Sequence, residues 1–322
     1  MTLPANGPIS VSQISVELDR PSTEKHSFHS AQTGVYGTIN TNNDAANRPN
    51  GMFPHVMSEW YSYDHDKVGF TTSGLVSHLD PTDVVSSTIT DQSGNSNTGT
   101  MTNGTSVVTA GGITYFNLDG TNDYINWTTL DNDDSSFTGG SGTRTFSMGC
   151  WLYRDNGSTN HQRPMGWLGT DSRKPMGMHV VGSSAHYGKS NTVGVFLYGG
   201  SQADFWYANS STHSTDTWEN WCITISGTSP NAVTPKIYKN GVLQTANHVV
   251  DQSATSWGSG GNVWRYVGAG RAFRHPTSSG GTPYYAYYQW NGRLGNMWWY
   301  SDVLTATEVL ANYNAQKGSY GL

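Results

Sequence analysis

The amino-acid sequence predicts an all-β, turn-rich fold, and three observations lead to this prediction. Only 12% of the 322 residues are charged and 38 are glycines, whereas 12 tryptophans and 18 tyrosines supply many aromatic side chains. Several short segments alternate apolar and polar residues, which is the period of a half-buried strand. Turn signals separate these segments, and the Asn-Gly pair at 240–241 is the strongest. Because disordered chains are poor in aromatic residues, we expect this chain to fold.

Charge and hydropathy exclude several classes of partner. The net charge is −6, and no run of lysine and arginine occurs, so we expect no nucleic-acid partner. No apolar run reaches the length of a membrane span, and the first residues lack the pattern of a signal peptide, so we expect no membrane partner. Cys150 and Cys222 lie in strand-like runs, which favours buried free thiols and leaves a single disulfide as the alternative.

The first 70 residues differ from the rest of the chain. Ser10 and Gln13 have the spacing of a capping box, which predicts a short helix with Ile14 and Leu18 on one face. Residues 21–56 contain few core-forming side chains, and an aromatic run including Trp60 and Tyr61 follows. Apolar groups without a core seek a partner surface. We therefore predict attachment through Ile14, Leu18, Trp60 and Tyr61; the alternative is that this segment packs on its own domain.

A strand-like run ends at an Asp-Gly turn within residues 115–125. Phe116 and Leu118 alternate with polar residues, and strand-like composition resumes at Tyr124, which predicts a hairpin across this turn. The side-chain oxygens of Asp119 and Asp123 suit two roles, capping of backbone amides or binding of calcium. Both interpretations stay open at this point.

The remaining elements follow from alternation and from a second capping box. Residues 143–154 carry large side chains on both faces, which predicts a central strand. The other predicted strands are 74–80, 163–169, 176–181, 193–198, 204–207, 218–225, 263–267 and 292–300, and residues 236–243 are predicted as a hairpin with Asn-Gly at its turn. Thr305 and Glu308 begin a predicted helix of about 12 residues, with Val309, Leu310 and Tyr313 facing inward and Gly318 as its end.

Five segments, in order, resemble the motifs of concanavalin-A-like, laminin-G-type jelly rolls. They are the Ser-Gly-Asn loop at 90–100, the Asp-Gly turn at 118–125, the strand at 143–154, the Tyr-x-Asn-Gly turn at 238–241 and the strand at 292–300 followed by the helix at 304–315. The resemblance implies a jelly-roll sandwich of two antiparallel sheets over residues 71–322, with a short C-terminal helix and a small irregular N-terminal segment. In this family the loops carrying Asp91, Asp119 and Asp123 gather at one rim, which implies calcium as the one candidate cofactor.

About the first 67 residues, through the segments 9–18 and 57–66, and the C-terminal helix also resemble segments of tailed-phage virion proteins. This resemblance implies a virion structural protein, in a capsid decoration, a tail fibre or a baseplate, assembled in the host cytoplasm. Residues 1–70 would then attach to other virion subunits and residues 71–322 would be displayed outward. We also expect a homo-oligomer, because virion proteins commonly assemble with symmetry mates.

The acidic residues indicate that the chain is not an enzyme. Glycosidases use two carboxyl groups that flank the bond, and no glutamate of this chain has a carboxylate two residues away on a predicted strand. The alternatives are a carbohydrate-binding module and a glycan-cleaving enzyme of the same fold. Aromatic side chains that look exposed suit a host-surface glycan, although aromatics also fill subunit interfaces; the candidates are Trp167, Trp206, Tyr207, Trp257, Tyr285 and Tyr287.

Overall fold

The computed structural model divides the chain into two compact units, Met1–Phe70 and Thr71–Leu322. The structure describes residues 3–4, 8–23, 27–36, 39–40, 42–43, 48–52, 54, 56–61, 63, 69–127, 143–155, 161–167, 176–199, 202–251 and 289–322. None of the helices among these residues is both long and apolar enough to cross a membrane. The strand predicted at 263–267 lies outside the described residues.

The second unit is built from antiparallel strands, as the sequence predicts. In chain order they are β1 (Leu75–Val85), β2 (Thr88–Asp91), β3 (Gly99–Thr102), β4 (Ser106–Ala110), β5 (Ile113–Asp119), β6 (Tyr124–Trp127), β7 (Arg144–Arg154), β8 (Gly166–Trp167), β9 (Met176–Val181), β10 (Thr192–Gly199), β11 (Gln202–Tyr207), β12 (Glu219–Gly227), β13 (Lys236–Lys239), β14 (Val242–Gln244), β15 (Asn247–Asp251) and β16 (Asn291–Tyr300).

The described strands form two sheets. The larger sheet has the order β14-β13-β12-β7-β16-β1-β2-β3-β6, with β5 paired to β16 and to β4. The smaller sheet has the order β15-β11-β10-β9-β8. One buried cluster contains side chains of both sheets, such as Phe146 and Ile223 from the larger and Met178 and Val195 from the smaller. The two-sheet sandwich is therefore confirmed.

Strand β7 is central, between β12 and β16, and this prediction is confirmed. Its alternation sends Cys150 into the core, where the thiol lies 3.7 Å from the sulfur of Met178. Cys222 pairs with Gly149 in the neighbouring strand and therefore points to the opposite face. Both thiols are free and buried, and burial raises the pKa of Cys222 to about 12.

The C-terminal helix covers the other face of β7. Helix α3 (Ala306–Gln316) starts with the predicted capping box. The ring of Trp151 stacks on the ring of Tyr320 at 4.2 Å between centroids. Two details of the prediction are wrong. Leu310 is 43% exposed, and the α-helix ends at Gln316 and continues as a 3-10 turn, Lys317–Tyr320, that includes Gly318.

The hairpin predicted across the Asp-Gly turn is wrong. Strand β5 pairs with β4 and β16, whereas β6, which follows the turn, pairs with β3. The carboxylate of Asp123 accepts hydrogen bonds from the backbone of Gly104 and of Asp119. These bonds direct the chain after the turn toward β3, so the two strands diverge.

The first unit has its own small core. Helix α1 (Val11–Glu17) carries the predicted capping box of Ser10 and Gln13, and α2 (Phe28–Gln32) follows. The expectation that this segment has too few apolar residues for a core is wrong, because six buried side chains pack together: Leu3, Ile14, Leu18, Ala31, Trp60 and Tyr63.

Candidate functional site

The candidate site lies on the face of the smaller sheet that is turned away from the shared core. Successive side chains of a strand point to opposite faces. In β9, Met178 and Val180 therefore enter the core while His179 and Val181 lie on the other face. Val181 joins a second buried apolar cluster on that face, together with Phe196, Phe205 and Tyr207.

A glycine lets two polar side chains meet across the middle strand. Gly194 of β10 is opposite His179 of β9 on one side and Tyr207 of β11 on the other. A Cβ atom at position 194 would collide with the backbone of Trp206 and the ring of Tyr207. Without that side chain, Nδ1 of His179 lies 2.5 Å from the Tyr207 hydroxyl.

Three histidines converge on this face. The ring centroids of His161 and His186 are 4.4 Å apart, those of His179 and His186 are 5.0 Å apart, and those of His161 and His179 are 5.6 Å apart. The Tyr207 hydroxyl also lies 2.8 Å from Nδ1 of His186. His179 is fully buried, whereas His161 and His186 are half-buried and reach the surface. The site therefore grades from a buried floor to a solvent-exposed rim.

A tight turn presents an aromatic ring at this rim. The backbones of His186 and Lys189 exchange two hydrogen bonds of 2.8 and 3.0 Å around Tyr187 and Gly188. Both central residues have positive φ, 49° and 73°, as in a type I′ turn. A bulky residue rarely adopts this conformation, and the strain is of order 1–3 kcal/mol. Tyr187 is 54% exposed, and its ring contacts those of His186 and Phe205.

A short segment beside β9 brings a cation to the site. The backbone of Gln162 exchanges hydrogen bonds of 2.8 and 2.7 Å with Val180, which fixes the neighbouring positions 161 and 163. The guanidinium of Arg163 lies 4.0 Å from the ring centroid of Phe196, in a cation–π contact. Arg163 is itself buried. We call His161, Arg163, His179, His186, Tyr187 and Tyr207 the histidine face.

Burial and positive neighbours keep the imidazoles neutral. Burial lowers the pKa of His179 well below its usual value, and Arg163 and the other two histidines lower it further. Burial, followed by His161 and Arg163, lowers the pKa of His186 to about 4. The pKa of His161 is lowered by burial, then by Arg154 and Arg163. At neutral pH the three rings therefore offer neutral hydrogen-bonding nitrogens.

The histidine face does not have the geometry of a metal centre. Within the part of the chain that the structure describes, no group of three or more histidine, cysteine, aspartate or glutamate side chains is placed to hold a metal ion. Nδ1 of His179 and Nδ1 of His186 both lie within hydrogen-bonding distance of the Tyr207 hydroxyl. This face is therefore organised for hydrogen bonding.

The structure describes the side chains of two predicted glycan-binding residues, Trp206 and Tyr207, and both lie in strand β11. Tyr207 belongs to the histidine face but is fully buried. Trp206 points to the other face of the sheet and stacks on His248, with ring centroids 4.0 Å apart and planes 2° apart. Its predicted exposure is wrong, because it packs against the shared core. Trp167 ends β8 and only its backbone is described; Trp257, Tyr285 and Tyr287 lie outside the described residues.

The first predicted calcium ligand caps a loop. Oδ1 of Asp91 accepts hydrogen bonds from the backbone of His78 and of Ser93 at 2.9 and 3.0 Å. Oδ2 accepts from the backbone of Asn97 at 2.7 Å and from the Ser93 hydroxyl at 2.7 Å. The carboxylate thus holds the Ser-Gly-Asn loop against β1.

The other two predicted calcium ligands have the same role. Asp123 accepts from Gly104 at 2.7 Å and from Asp119 at 3.0 Å, and Asp119 accepts from Thr121 at 2.7 Å. Asp119 and Asp123 therefore show the capping contacts that the sequence left open as one alternative, and Asp91 makes contacts of the same kind. Calcium binding here stays a prediction, and it would compete with these hydrogen bonds.

Three of the four predicted attachment residues lie in the core of the first unit. Ile14, Leu18 and Trp60 are almost completely buried, and the ring of Trp60 contacts that of Tyr63 edge-on at 5.1 Å. Tyr61 is half-buried. The three buried side chains are satisfied within their own unit, so they do not form an outward apolar surface, and alanine at these positions would test folding rather than attachment.

A buried ion cluster lies at the end of β12. The Glu219 carboxylate is 2.7 Å from both the Lys239 ammonium and Nδ1 of His213, and it accepts hydrogen bonds from the Ser214 backbone and the Trp221 indole. Burial raises the pKa of Glu219, but the hydrogen bond with His213 and the other donors outweigh it and lower the pKa to about 2. This carboxylate is held ionised by four donors, and we assign it a structural role.

Sequence reasoning missed most of the histidine face. His161, Arg163, His179, His186 and Tyr187 were not among the predicted site residues. Two signals were present: three of the chain's 11 histidines occur between 161 and 186, and the alternation of 176–181 places His179 on the face opposite the methionines. Their convergence depends on strand order, which these signals do not specify.

Comparisons with known proteins show the fold alone. No protein-family model and no curated protein sequence matches the chain. Domain 4 of AbnA, a GH43 extracellular arabinanase from Geobacillus stearothermophilus, solved with arabinotriose, is 14% identical over 74% of this chain and 98% of that chain, with a TM-score of 0.48. Trypanosoma rangeli sialidase in complex with sialic acid is 12% identical over 78% of this chain and 34% of that chain, with a TM-score of 0.48.

The receptor-binding domain of botulinum neurotoxin C/D mosaic serotype is also similar, at 14% identity over 76% of this chain and 52% of that chain, with a TM-score of 0.48. The match therefore covers about a third of the sialidase and about half of the neurotoxin domain. The expectation that this chain is not an enzyme is corrected here, because solved structures similar to it include a sialidase and a domain of an arabinanase. At this level of similarity they assign no activity to this chain.

Proposed function

We propose that residues 71–322 form a glycan-binding β-sandwich whose binding site is the histidine face. The observation that carries this proposal is the exposed Tyr187 ring, held at positive φ beside the polar rim of His161 and His186. Strained residues cluster at ligand-binding positions. Ligand sites combine aromatic surfaces with a few precisely placed polar groups.

The chemistry of the face suits a saccharide. The Tyr187 ring offers an apolar surface on which the C–H face of a sugar can stack, and the half-buried, neutral imidazole of His186 adds a polar group beside it that suits sugar hydroxyls. Tyr207 orients two imidazoles of the face through its hydroxyl. The ligand would meet a surface that is already organised, which limits the ordering cost of binding.

Binding to a panel of immobilised oligosaccharides tests this proposal. For the best binder, Tyr187→Ala should weaken the affinity at least about tenfold, or about 1.4 kcal/mol, and Tyr187→Phe should retain it because the ring is kept. Tyr124→Ala, at a half-buried tyrosine on the larger sheet, is the matched control. Undiminished affinity in Tyr187→Ala, or no binding to any member of the panel, would overturn the proposal.

We also propose that the protein is a virion component that carries this domain outward and contacts other virion subunits. The supporting observation is that two of the segments with phage-like sequences, residues 9–18 and the C-terminal segment, form helices with complete capping boxes, α1 and α3. Antibodies against residues 71–322 should label particles purified from a lysate that contains the protein. Label found only in the particle-free fraction would contradict this placement.

A further inference from the structure

We infer that the larger sheet carries a second saccharide site, which takes a neutral sugar through two neighbouring hydroxyl groups. The site lies on the face of this sheet that is turned away from the shared core, and its centre is Arg293 of β16. It is separate from the histidine face, which lies on the smaller sheet. A site for such a ligand needs both donors and acceptors, because a hydroxyl group forms both kinds of hydrogen bond.

The strand register places the central side chains of this site in one row. Arg293 is opposite Asn117 of β5 on one side and opposite Tyr153 of β7 on the other. The adjacent residues Phe116 and Leu294 lie in the shared core. Since successive side chains of a strand point to opposite faces, the row projects away from that core. All three side chains of the row are half-buried, so a ligand can reach them.

Two tyrosine rings hold the guanidinium of Arg293. Its central carbon lies 4.1 Å from the ring centroid of Tyr153 and 5.0 Å from that of Tyr115, in two cation–π contacts. Trp218 supports both rings, with its centroid 5.6 Å from that of Tyr153 and 5.9 Å from that of Tyr115. A guanidinium that is already held in place loses little freedom when it forms further hydrogen bonds.

The N–H groups of this guanidinium are available to a ligand. Oδ1 of Asp155 lies 3.9 Å from Nε of Arg293, which is close enough for an ion pair but too far for a hydrogen bond. Within the residues that the structure describes, no protein group accepts a hydrogen bond from the Arg293 side chain. The Arg293 and Asp155 side chains are 32% and 39% exposed, so both reach solvent.

This combination of groups suits a neutral diol. Two parallel N–H groups of a guanidinium match a pair of acceptor oxygens, and two neighbouring hydroxyl groups of a sugar ring supply such a pair. The Asp155 carboxylate and the Asn117 amide oxygen can accept the hydroxyl protons. Because Arg293 and Asp155 carry opposite charges, the pair gives no strong preference to a ligand of either sign.

Calorimetric titration of the full chain tests this site in the Tyr187→Ala variant, which weakens the histidine face. The probes are four neutral oligosaccharides: maltotriose, cellotriose, mannotriose and xylotriose. For the probe that binds best, adding Arg293→Gln should reduce the affinity at least about tenfold, because hydrogen bonds to a charged donor are lost. Arg293→Lys should not restore the affinity, since an ammonium lacks the paired donors.

A second variant and a control make the test specific. Asp155→Ala removes an acceptor without altering the stacked rings, and it should weaken binding at least about threefold. Lys236→Gln, at an exposed position on the larger sheet, is the matched control and should leave the affinity unchanged. Circular dichroism and melting of each variant separate a loss of binding from a loss of fold.

The ligand class has its own tests. At least one mono-deoxy analogue of the best probe should lose affinity as strongly as Arg293→Gln does, and equal binding by all of them would contradict recognition of a diol. Tri-galacturonate should bind this site no more tightly than its neutral methyl ester. Tighter binding of the acidic form would contradict a neutral ligand.

The outcomes separate this inference from the proposed function. If Tyr187→Ala leaves saccharide binding intact and folded Arg293→Gln abolishes it, the histidine face is not the glycan site and the inference stands. If folded Arg293→Gln and Asp155→Ala both leave binding unchanged, or if no probe binds, the inference is overturned. If Arg293→Gln alters only self-association in sedimentation, this surface contacts protein and the inference is wrong.

Discussion

Gly194 shows how the lack of a side chain at one residue shapes the candidate site. His179 and Tyr207 lie on either side of it, and they meet because position 194 carries no Cβ atom. A sequence shows this glycine as one of 38. Only the register of three strands reveals what it makes room for.

We predict that Gly194→Ala destabilises the second unit by about 2 kcal/mol or more, because the new methyl group collides with backbone atoms that cannot move aside. Gly318→Ala is the matched control, since a Cβ there meets nothing within 4 Å. Urea denaturation measures the free energy of unfolding of both variants. Equal stability of the two would show that strand β10 shifts to accept the side chain.

The second residue-scale prediction concerns pH. Because the folded-state pKa of His186 is about 4 and the ordinary value is 6.5, the unfolded chain takes up a proton first as the pH falls. The free energy of unfolding should therefore decrease between about pH 6.5 and about pH 4, and be fully retained above that window. Burial lowers the pKa of His179 in the same direction.

His186→Gln should reduce this decrease, because glutamine does not titrate. His29→Gln, at an exposed histidine of the first unit, is the control and should leave the pH profile of the second unit unchanged. The profile is measured by urea denaturation at several pH values. A wild-type stability that is constant from pH 7 to pH 4 would contradict the burial of these rings.

At the scale of elements, the docking of the C-terminal helix and turn depends on a few polar contacts. The Tyr320 hydroxyl accepts hydrogen bonds from the backbone and side-chain amides of Asn296 at 2.7 and 3.0 Å. The indole of Trp151 donates to Gln316 at 2.9 Å, next to the stacked ring of Tyr320. These contacts place the last residues of the chain over the centre of the larger sheet.

We expect Tyr320→Phe to destabilise the second unit by about 1–3 kcal/mol, because it keeps the stacked ring but leaves the buried Asn296 amide groups without their acceptor. Tyr313→Phe is the matched control, since Tyr313 is half-buried and stacks on the same indole. Thermal denaturation followed by circular dichroism measures both. A loss as large in Tyr313→Phe would show that the effect does not come from the hydrogen bonds between Tyr320 and Asn296.

At the scale of the whole molecule, each unit has its own buried core. Residues 71–322 contain both sheets and the C-terminal helix. We predict that this fragment, made without residues 1–70, folds with a β-type circular dichroism spectrum and a cooperative melting transition. A fragment without a cooperative transition would show that the second unit requires the first.

The sequence by itself determined the features that depend on neighbours along the chain. Alternation predicted most of the strands, and both capping boxes form as expected because their partners are three residues apart. The Asn-Gly pair also forms its turn, with φ of 50° and 79°. The all-β class, the sandwich and the two free cysteines follow from such local signals and from the family resemblance.

Only the tertiary structure decided which distant residues meet. The histidine face joins positions 161, 163, 179, 186, 187 and 207, which come together through the order and register of β9, β10 and β11. The same long-range pairing buried Tyr207 and partly buried Trp206, which both looked exposed, and it separated β5 from β6 at a turn that resembled a hairpin. The alternation of residues along one strand indicates which side chains share a face of that strand. The alternation does not indicate which strand pairs with it, and the pairing of β9, β10 and β11 is what brings the site residues together.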